Sequence, residues 1–147
     1  STFKKELMTA THNFTTTSGN TFKVALIKAN ASQTGTYSAA TTSYTTITGN
    51  SDELANGSGY TTGGNTLTNV TPTNGTSTTT TALTDFADTS WTSATFTTRG
   101  CVIYNDTASG DPAVMVIDFG ADYSVAGGTF TIQFPTADES NAILRIT

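Results

Sequence analysis

The feature that most constrains the fold is a series of short segments in which apolar and polar residues alternate. The clearest is Thr129–Phe134, where Phe130, Ile132 and Phe134 alternate with threonine and glutamine. A period of two places successive side chains on opposite faces of a β-strand, so each such segment predicts a half-buried strand. About eight segments of this kind, separated by turn signals, predict an all-β fold, a single-domain jelly roll or β-sandwich.

Other segments vary this pattern. Thr21–Lys28 alternates and predicts a strand, and Ser43–Thr48 predicts a second, shorter one. Ala113–Phe119 is nearly all apolar, which is typical of a central strand covered on both faces. The glycine-containing stretch Gly120–Gly128 that follows is predicted to be a loop.

The first residues have a helical period instead. Phe3, Leu7 and Ala10 fall on one face of a helix, at positions i, i+4 and i+7. A helix of two or three turns is marginal by itself, so it must lie on another element. The sequence therefore predicts an amino-terminal helix or arm at residues 1–20 and a β-sandwich domain at residues 21–147.

Composition excludes several classes of protein. The net charge of −5 argues against nucleic-acid binding, which relies on lysine and arginine to neutralise phosphates. No run approaches the roughly 18 apolar residues of a membrane-spanning helix, so no membrane partner is expected. The single cysteine, Cys101, excludes an intramolecular disulfide and is expected to be a buried, inert thiol.

The charge is unevenly distributed along the chain. Residues 1–28 carry a net charge of +3 and the remaining residues a net charge of −8. A basic, amphipathic start of this kind favours docking on an acidic protein partner. Phe3, Lys4, Lys5 and Leu7 are accordingly the predicted partner-binding residues.

The sequence offers no convincing catalytic constellation. His12 is the only histidine, which excludes a site built from two histidines. Three pairs of acids have a spacing that glycoside hydrolysis could use: Asp85 with Asp88, Asp106 with Asp111, and Asp118 with Asp122. All of them flank turns, where aspartate commonly bonds the local backbone. We therefore expect no catalytic, metal or cofactor-binding residues, and a protein that is not an enzyme.

Several motifs together resemble one family, the small structural proteins encoded among the head genes of tailed bacteriophages. The resemblance covers nearly the whole chain and is carried by Phe3–Leu7, His12–Phe14, Thr21–Leu26, Gly59–Gly64, Trp91–Gly100, Ile103–Asn105, Asp118–Gly120 and Gly128–Ile132. Members of this family look like capsid decoration, or cement, proteins of jelly-roll type. The threonine-rich stretch 71–81 departs from the family's pattern and is expected to be an exposed loop.

The resemblance implies a virion location on the outer surface of the capsid. It also implies that the chain binds the major capsid protein as a small homo-oligomer, a dimer or trimer. Two alternatives stay open from the sequence. One is a tail or fibre component. The other is a carbohydrate-binding module that would use Trp91 with the tyrosines in or near loops, Tyr37, Tyr44, Tyr60 and Tyr123.

Overall fold

The fold is described from a computed structural model that covers residues 2–77 and 80–147. The helical elements are α1 (Thr2–Met8), a 3-10 turn (Asn30–Ser32) and α2 (Thr45–Gly49). The strands are β1 (Phe22–Lys28), β2 (Asn65–Thr66), β3 (Asn69–Asn74), β4 (Ala82–Phe86), β5 (Thr89–Asn105), β6 (Ala113–Ile132) and β7 (Leu144–Ile146).

The strands form two antiparallel sheets. One sheet has four strands in the order β2-β1-β5-β6, and the other has three in the order β3-β4-β7. The prediction of an all-β sandwich with a short amino-terminal helix is therefore confirmed. No helix in the described ranges is long and apolar enough to cross a membrane.

The centre of the fold is the pair of strands β1 and β5, which run antiparallel from Phe22↔Asn105 to Lys28↔Thr98. The inner face of β1 presents Phe22, Val24 and Leu26, and all three are fully buried. The Phe22 ring lies 5.6 Å from the ring of Phe86 on β4, in the other sheet. The main core therefore lies between the two sheets.

The outer face of β1 is also covered. Ala25 and Ile27 belong to a second buried cluster that includes Ile47 of α2. Thr45–Gly49 is a helix, so the predicted strand at Ser43–Thr48 is wrong. The reason is that Tyr44 and Ile47, three residues apart, both pack on the sheet, which a strand's alternation would not allow.

The predicted central strand at Ala113–Phe119 is an edge strand. Its faces are covered as expected, because Met115 and Ile117 pack on the main core and Val116 packs on the second cluster. Its place at the sheet edge follows from the strand order β2-β1-β5-β6, in which β5 is the only neighbour of β6 among the described strands. The apolar pattern of Ala113–Phe119 thus correctly predicted that both faces of the strand are covered, but the predicted central position in the sheet was wrong.

The predicted loop at Gly120–Gly128 is also wrong, because these residues continue β6. The register jumps from Thr98↔Tyr123 to Gly100↔Asp118, so four residues of β6 oppose Arg99 alone. Such a bulge bends a strand and leaves the extra residues unpaired. Gly120 therefore lies in a bulge within a long strand, and Gly127 lies at a second register shift of the same strand.

The threonine-rich stretch 71–81 is not one exposed loop. Residues 71–74 are exposed but belong to β3, which pairs with β4. Residues 78–79 lie outside the described part of the chain.

Gly64 provides a test of the packing of β1. Its φ of +75° favours glycine, and an added Cβ would overlap the carbonyl group of Val24. We expect Gly64→Ala to lower the free energy of unfolding by about 2–4 kcal/mol, measured by denaturant unfolding. Gly110→Ala is the matched control, because Gly110 has a φ of +85° but open space around its Cβ position. Equal losses in the two variants would contradict this account.

Candidate interaction surface

The four predicted partner-binding residues all lie on α1, but their surroundings differ. Phe3 and Leu7 are half-buried and pack against the main core of their own domain. Lys4 and Lys5 are exposed. The structure therefore gives the apolar pair a role in seating α1, and only the lysines face solvent.

A chain of polar contacts also holds α1 in place through His12, whose side chain is fully buried. His12 Nε2 lies 3.1 Å from Glu6 Oε2, and Nδ1 lies 3.1 Å from Asn105 Nδ2. Asn105 Oδ1 accepts the amides of Thr107 and Ala108, so the Asn105 amide nitrogen must face His12. His12 Nδ1 therefore accepts a hydrogen bond, and Nε2–H donates one to the Glu6 carboxylate.

The exposed positive charge of the amino-terminal segment is concentrated on α1. Lys23 pairs with Asp106 at 3.0 Å, and the Lys28 ammonium donates to a backbone carbonyl. Lys4 and Lys5 take part in none of the ion pairs found within residues 2–77 and 80–147. These two ammonium groups are thus available to an acidic partner.

A second surface lies along the free side of β6. A groove of about 420 Å³ runs between β6 and the segment that leads to β7. Its walls are mainly apolar and include Ile117, Phe119, Tyr123, Phe130, Phe134 and Ile143. We call this surface the β6 groove. Tyr123 is 51% exposed there, which is high for a large aromatic side chain.

The acids that were candidates for catalysis mostly have structural partners. Asp85 is buried and accepts the amides of Phe86 and Ile143. The remaining contacts are Asp88 with the Phe134 amide, Asp106 with Lys23, Asp118 with Arg99, and Asp122 with the Asn30 amide. Hydrogen bonds from the Gly120 amide and from Arg99 hold the pKa of Asp118 below its ordinary value. Across the described residues, no group of three or more His, Cys, Asp or Glu side chains is arranged to hold a metal ion.

Asp52 is a fully buried acid that the sequence analysis did not single out. Its carboxylate accepts hydrogen bonds from the Thr34 and Gly35 amides and from the Tyr37 hydroxyl. Burial acts to raise the pKa of Asp52, but these hydrogen bonds outweigh it and the pKa is lowered. Burial and the hydrogen bond to Asp52 raise the pKa of Tyr37 to about 12.

Glu53, the next residue, has a similar role. Its carboxylate accepts hydrogen bonds from Tyr44 at 2.6 Å, from Tyr60 at 2.8 Å and from the Gly63 amide at 2.6 Å. Together the two acids hold the segments around residues 34–44 and 60–63 in place. Tyr37 and Tyr44 pack on the second cluster, whereas Tyr60 belongs to the main core. Glu53 forms a β-bridge with Ile27 of β1.

Cys101 is fully buried in the main core. Burial raises the pKa of its thiol to about 12. Because the thiolate is the reactive form, this cysteine is inert in the folded protein, as the sequence predicted.

No protein-family model, curated protein or solved structure matches the chain. The function of these surfaces is therefore argued from their own geometry and charge.

The His12 contacts predict how firmly α1 is seated. We expect His12→Ala to lower the free energy of unfolding by about 1–3 kcal/mol. The substitution removes one of the three acceptors of the Asn105 amide and the donor to Glu6, and it opens a cavity beneath Phe3. Amide hydrogen exchange should also quicken in α1. Met8→Ala is the control, since Met8 is 82% exposed on the same helix and should change neither measurement. Unchanged exchange in His12→Ala would contradict the assigned role.

The lowered pKa of Asp52 predicts a dependence of stability on pH. A carboxyl group whose pKa is lower in the folded state stabilises the protein above its unfolded value of about 3.9, and this contribution is lost as pH falls through the folded value. We expect Asp52→Asn to cost about 2–3 kcal/mol at neutral pH and less below about pH 4, measured by urea unfolding.

Asp111→Asn is the matched control, because it removes a carboxylate that accepts no side-chain hydrogen bond in the described residues and lies at a φ of 47°, which asparagine tolerates. If Asp52→Asn lost the same stability at every pH, the carboxylate would not be the source of the effect.

Proposed function

We propose that this chain is a structural protein of a virus particle, a capsid decoration protein that binds the outer surface of the major capsid lattice and stabilises the head. The observation that carries the proposal is the seating of α1. Packing of Phe3 and Leu7 and the Glu6–His12 contact fix the helix, so Lys4 and Lys5 are presented on a preformed surface. This fits the resemblance of the sequence to tailed-phage decoration proteins.

A seated helix lowers the cost of binding. A disordered arm would lose conformational entropy when it docked, whereas α1 is already ordered by its own domain. The rest of the protein is acidic, so the two lysines also orient the molecule toward an acidic region of the capsid protein. The contact area is small, and its effect depends on repetition over the lattice.

The stabilising mechanism is mass action. A protein that binds the assembled shell and not its separated subunits shifts the equilibrium toward the shell. One modest interface repeated at many lattice sites adds many contacts that resist the pressure of packaged DNA. No covalent chemistry is needed for this role.

The outer surface of the sandwich suits a protein that acts by binding alone. Exposed cross-strand pairs on β5 and β6 join hydroxyl groups, as in Thr97 with Ser124 and Ser90 with Thr131, each at 2.8 Å. Uncharged hydroxyl groups of this kind form many weak hydrogen bonds with a neighbouring protein or with water.

The structure bears differently on the two alternative functions, a tail or fibre component and a carbohydrate-binding module. A tail or fibre component would use the same surfaces, and electron microscopy of the particle separates it from a capsid protein. A carbohydrate-binding module would need several exposed rings, but Trp91 is 3% and Tyr60 is 2% exposed. Tyr37, Tyr44 and Tyr60 donate their hydroxyls to Asp52 and Glu53. Tyr123 is the one exposed ring of the predicted set, and a single ring is too little for us to propose carbohydrate binding.

Co-sedimentation with capsids tests the proposal. Purified protein is mixed with intact, undecorated shells of the virus that encodes it, and is expected to pellet with the shells and to dissociate as salt rises. Lys4→Gln with Lys5→Gln should weaken binding by about tenfold or more, since two charges are lost from the interface.

The control is Thr66→Glu with Thr68→Glu, which changes the net charge by the same amount at two exposed positions outside α1. This variant should bind like the wild type. A wild-type protein that stays in the supernatant at low salt would contradict the proposed function.

A further inference from the structure

The most exposed large apolar side chain in the described part of the chain lies on α1. Met8 is 82% exposed, against 62% for Ile146 and 51% for Tyr123. It belongs to the helix whose other large apolar side chains, Phe3 and Leu7, pack against the main core. The packing of α1 on its own domain therefore leaves Met8 in water.

Met8 lies between two lysines around the axis of the helix. Because an α-helix has 3.6 residues per turn, Met8 is rotated by about 40° from Lys4 and by about 60° from Lys5. All three side chains are exposed. Residues four apart are neighbours on a helix surface, and the aliphatic stem of a lysine adds apolar area beside Met8. We call Lys4, Lys5 and Met8 the α1 patch, which has an apolar centre and a positive charge on each side.

The end of the helix fixes the backbone of the α1 patch. The Ala10 amide donates to the Leu7 carbonyl, and the Thr11 amide donates to the Glu6 carbonyl. Ala10 has a φ of 56°. These two bonds and this conformation form a Schellman motif, which terminates a helix and satisfies its last carbonyl groups. Docking through the patch therefore orders side chains and leaves the backbone as it is.

The charge of the α1 patch is not neutralised by an acid on the same helix. Glu6 is the only acid of α1, and its side chain is 16% exposed and contacts His12. None of the ion pairs found among the described residues contains Lys4 or Lys5. The outward face of α1 is thus both apolar and positive, which makes it complementary to an apolar surface that carries carboxylates.

We propose that Met8 is the apolar anchor through which α1 binds its partner, and that the partner provides an apolar pocket rimmed by carboxylates. The thioether side chain enters the pocket, and the ammonium groups of Lys4 and Lys5 face the rim. Methionine suits this position because its unbranched, flexible side chain fills pockets of irregular shape. An apolar centre within a polar rim is the general anatomy of a protein interface. The inference rests on the proposed function and deepens it, because it assigns the partner's pocket and a source of affinity other than charge.

Co-sedimentation with intact, undecorated shells tests the inference. Met8→Ala and Met8→Gln, which is similar in shape but polar, should each raise the dissociation constant by about tenfold or more, because the pocket loses its apolar occupant. Met8→Leu keeps an apolar side chain of similar volume and should bind within about threefold of the wild type. Since Met8 is exposed, all three variants should unfold at the same denaturant concentration as the wild type, so that weaker binding is not a loss of folding.

The matched control is Ile146→Ala, which truncates an exposed apolar side chain on β7 and should bind like the wild type. Salt separates the two components of the α1 patch. The loss of affinity in Lys4→Gln with Lys5→Gln should shrink as salt rises, because salt screens exposed charges. The loss in Met8→Ala should persist at high salt, because it comes from apolar burial.

The inference and the proposed function fail in different ways. If the wild type pellets with the shells and Met8→Ala and Met8→Gln bind equally well, the inference is overturned and the proposed function stands. A comparable loss in Ile146→Ala, or a loss in Met8→Ala that disappears at high salt, also overturns the inference. If the wild type stays in the supernatant at low salt, the proposed function is wrong and the inference falls with it.

Discussion

The structure depends on the burial of β1 and β5 on both faces. Phe22 and Leu26 fill the space between the two sheets, while Ala25 and Ile27 face the opposite way and are equally buried. A second sheet covers one face, so the other face needs a layer of its own. The segment between β1 and β2, which contains α2, provides that layer, and its polar backbone must be tied down because it lies on apolar side chains.

Asp52 and Glu53 hold this segment in place, and their hydrogen bonds explain why buried acids are tolerated here. Each carboxylate accepts at least three hydrogen bonds from backbone amides or tyrosine hydroxyls, so the cost of removing it from water is offset without a buried cation. The same bonds orient Tyr44, whose ring stacks on Tyr104 of β5 at 4.3 Å. Tyr37, Tyr44 and Tyr60, three of the tyrosines that could have served as a ligand surface, are therefore part of the scaffold.

The sequence predicted which side chains of a strand face the core better than it predicted which strands lie next to one another. The alternation of Phe130, Ile132 and Phe134 correctly placed these side chains toward the core, because the period of two follows directly from strand geometry. Strand order depends on pairings that are distant along the chain, so the edge position of β6 could not be obtained from its apolar residues. Gly120 suggested a loop because glycine favours positive φ, but a bulge uses the same property within a strand. At the amino terminus, the helical spacing of Phe3 and Leu7 located α1 correctly. The spacing could not show whether these side chains pack on a partner protein or, as in the structure, on the core of their own domain.

The surface proposed to bind the capsid is α1, which presents Lys4 and Lys5 to solvent. The sandwich already holds this helix in place, so docking through it would cost little ordering of the chain. Electron cryomicroscopy of the decorated particle tests the central claim most directly. The account predicts density for this protein on the outer surface of the shell, with α1 against the major capsid protein. A shell that lacks the protein, or density in which α1 faces solvent, would contradict it.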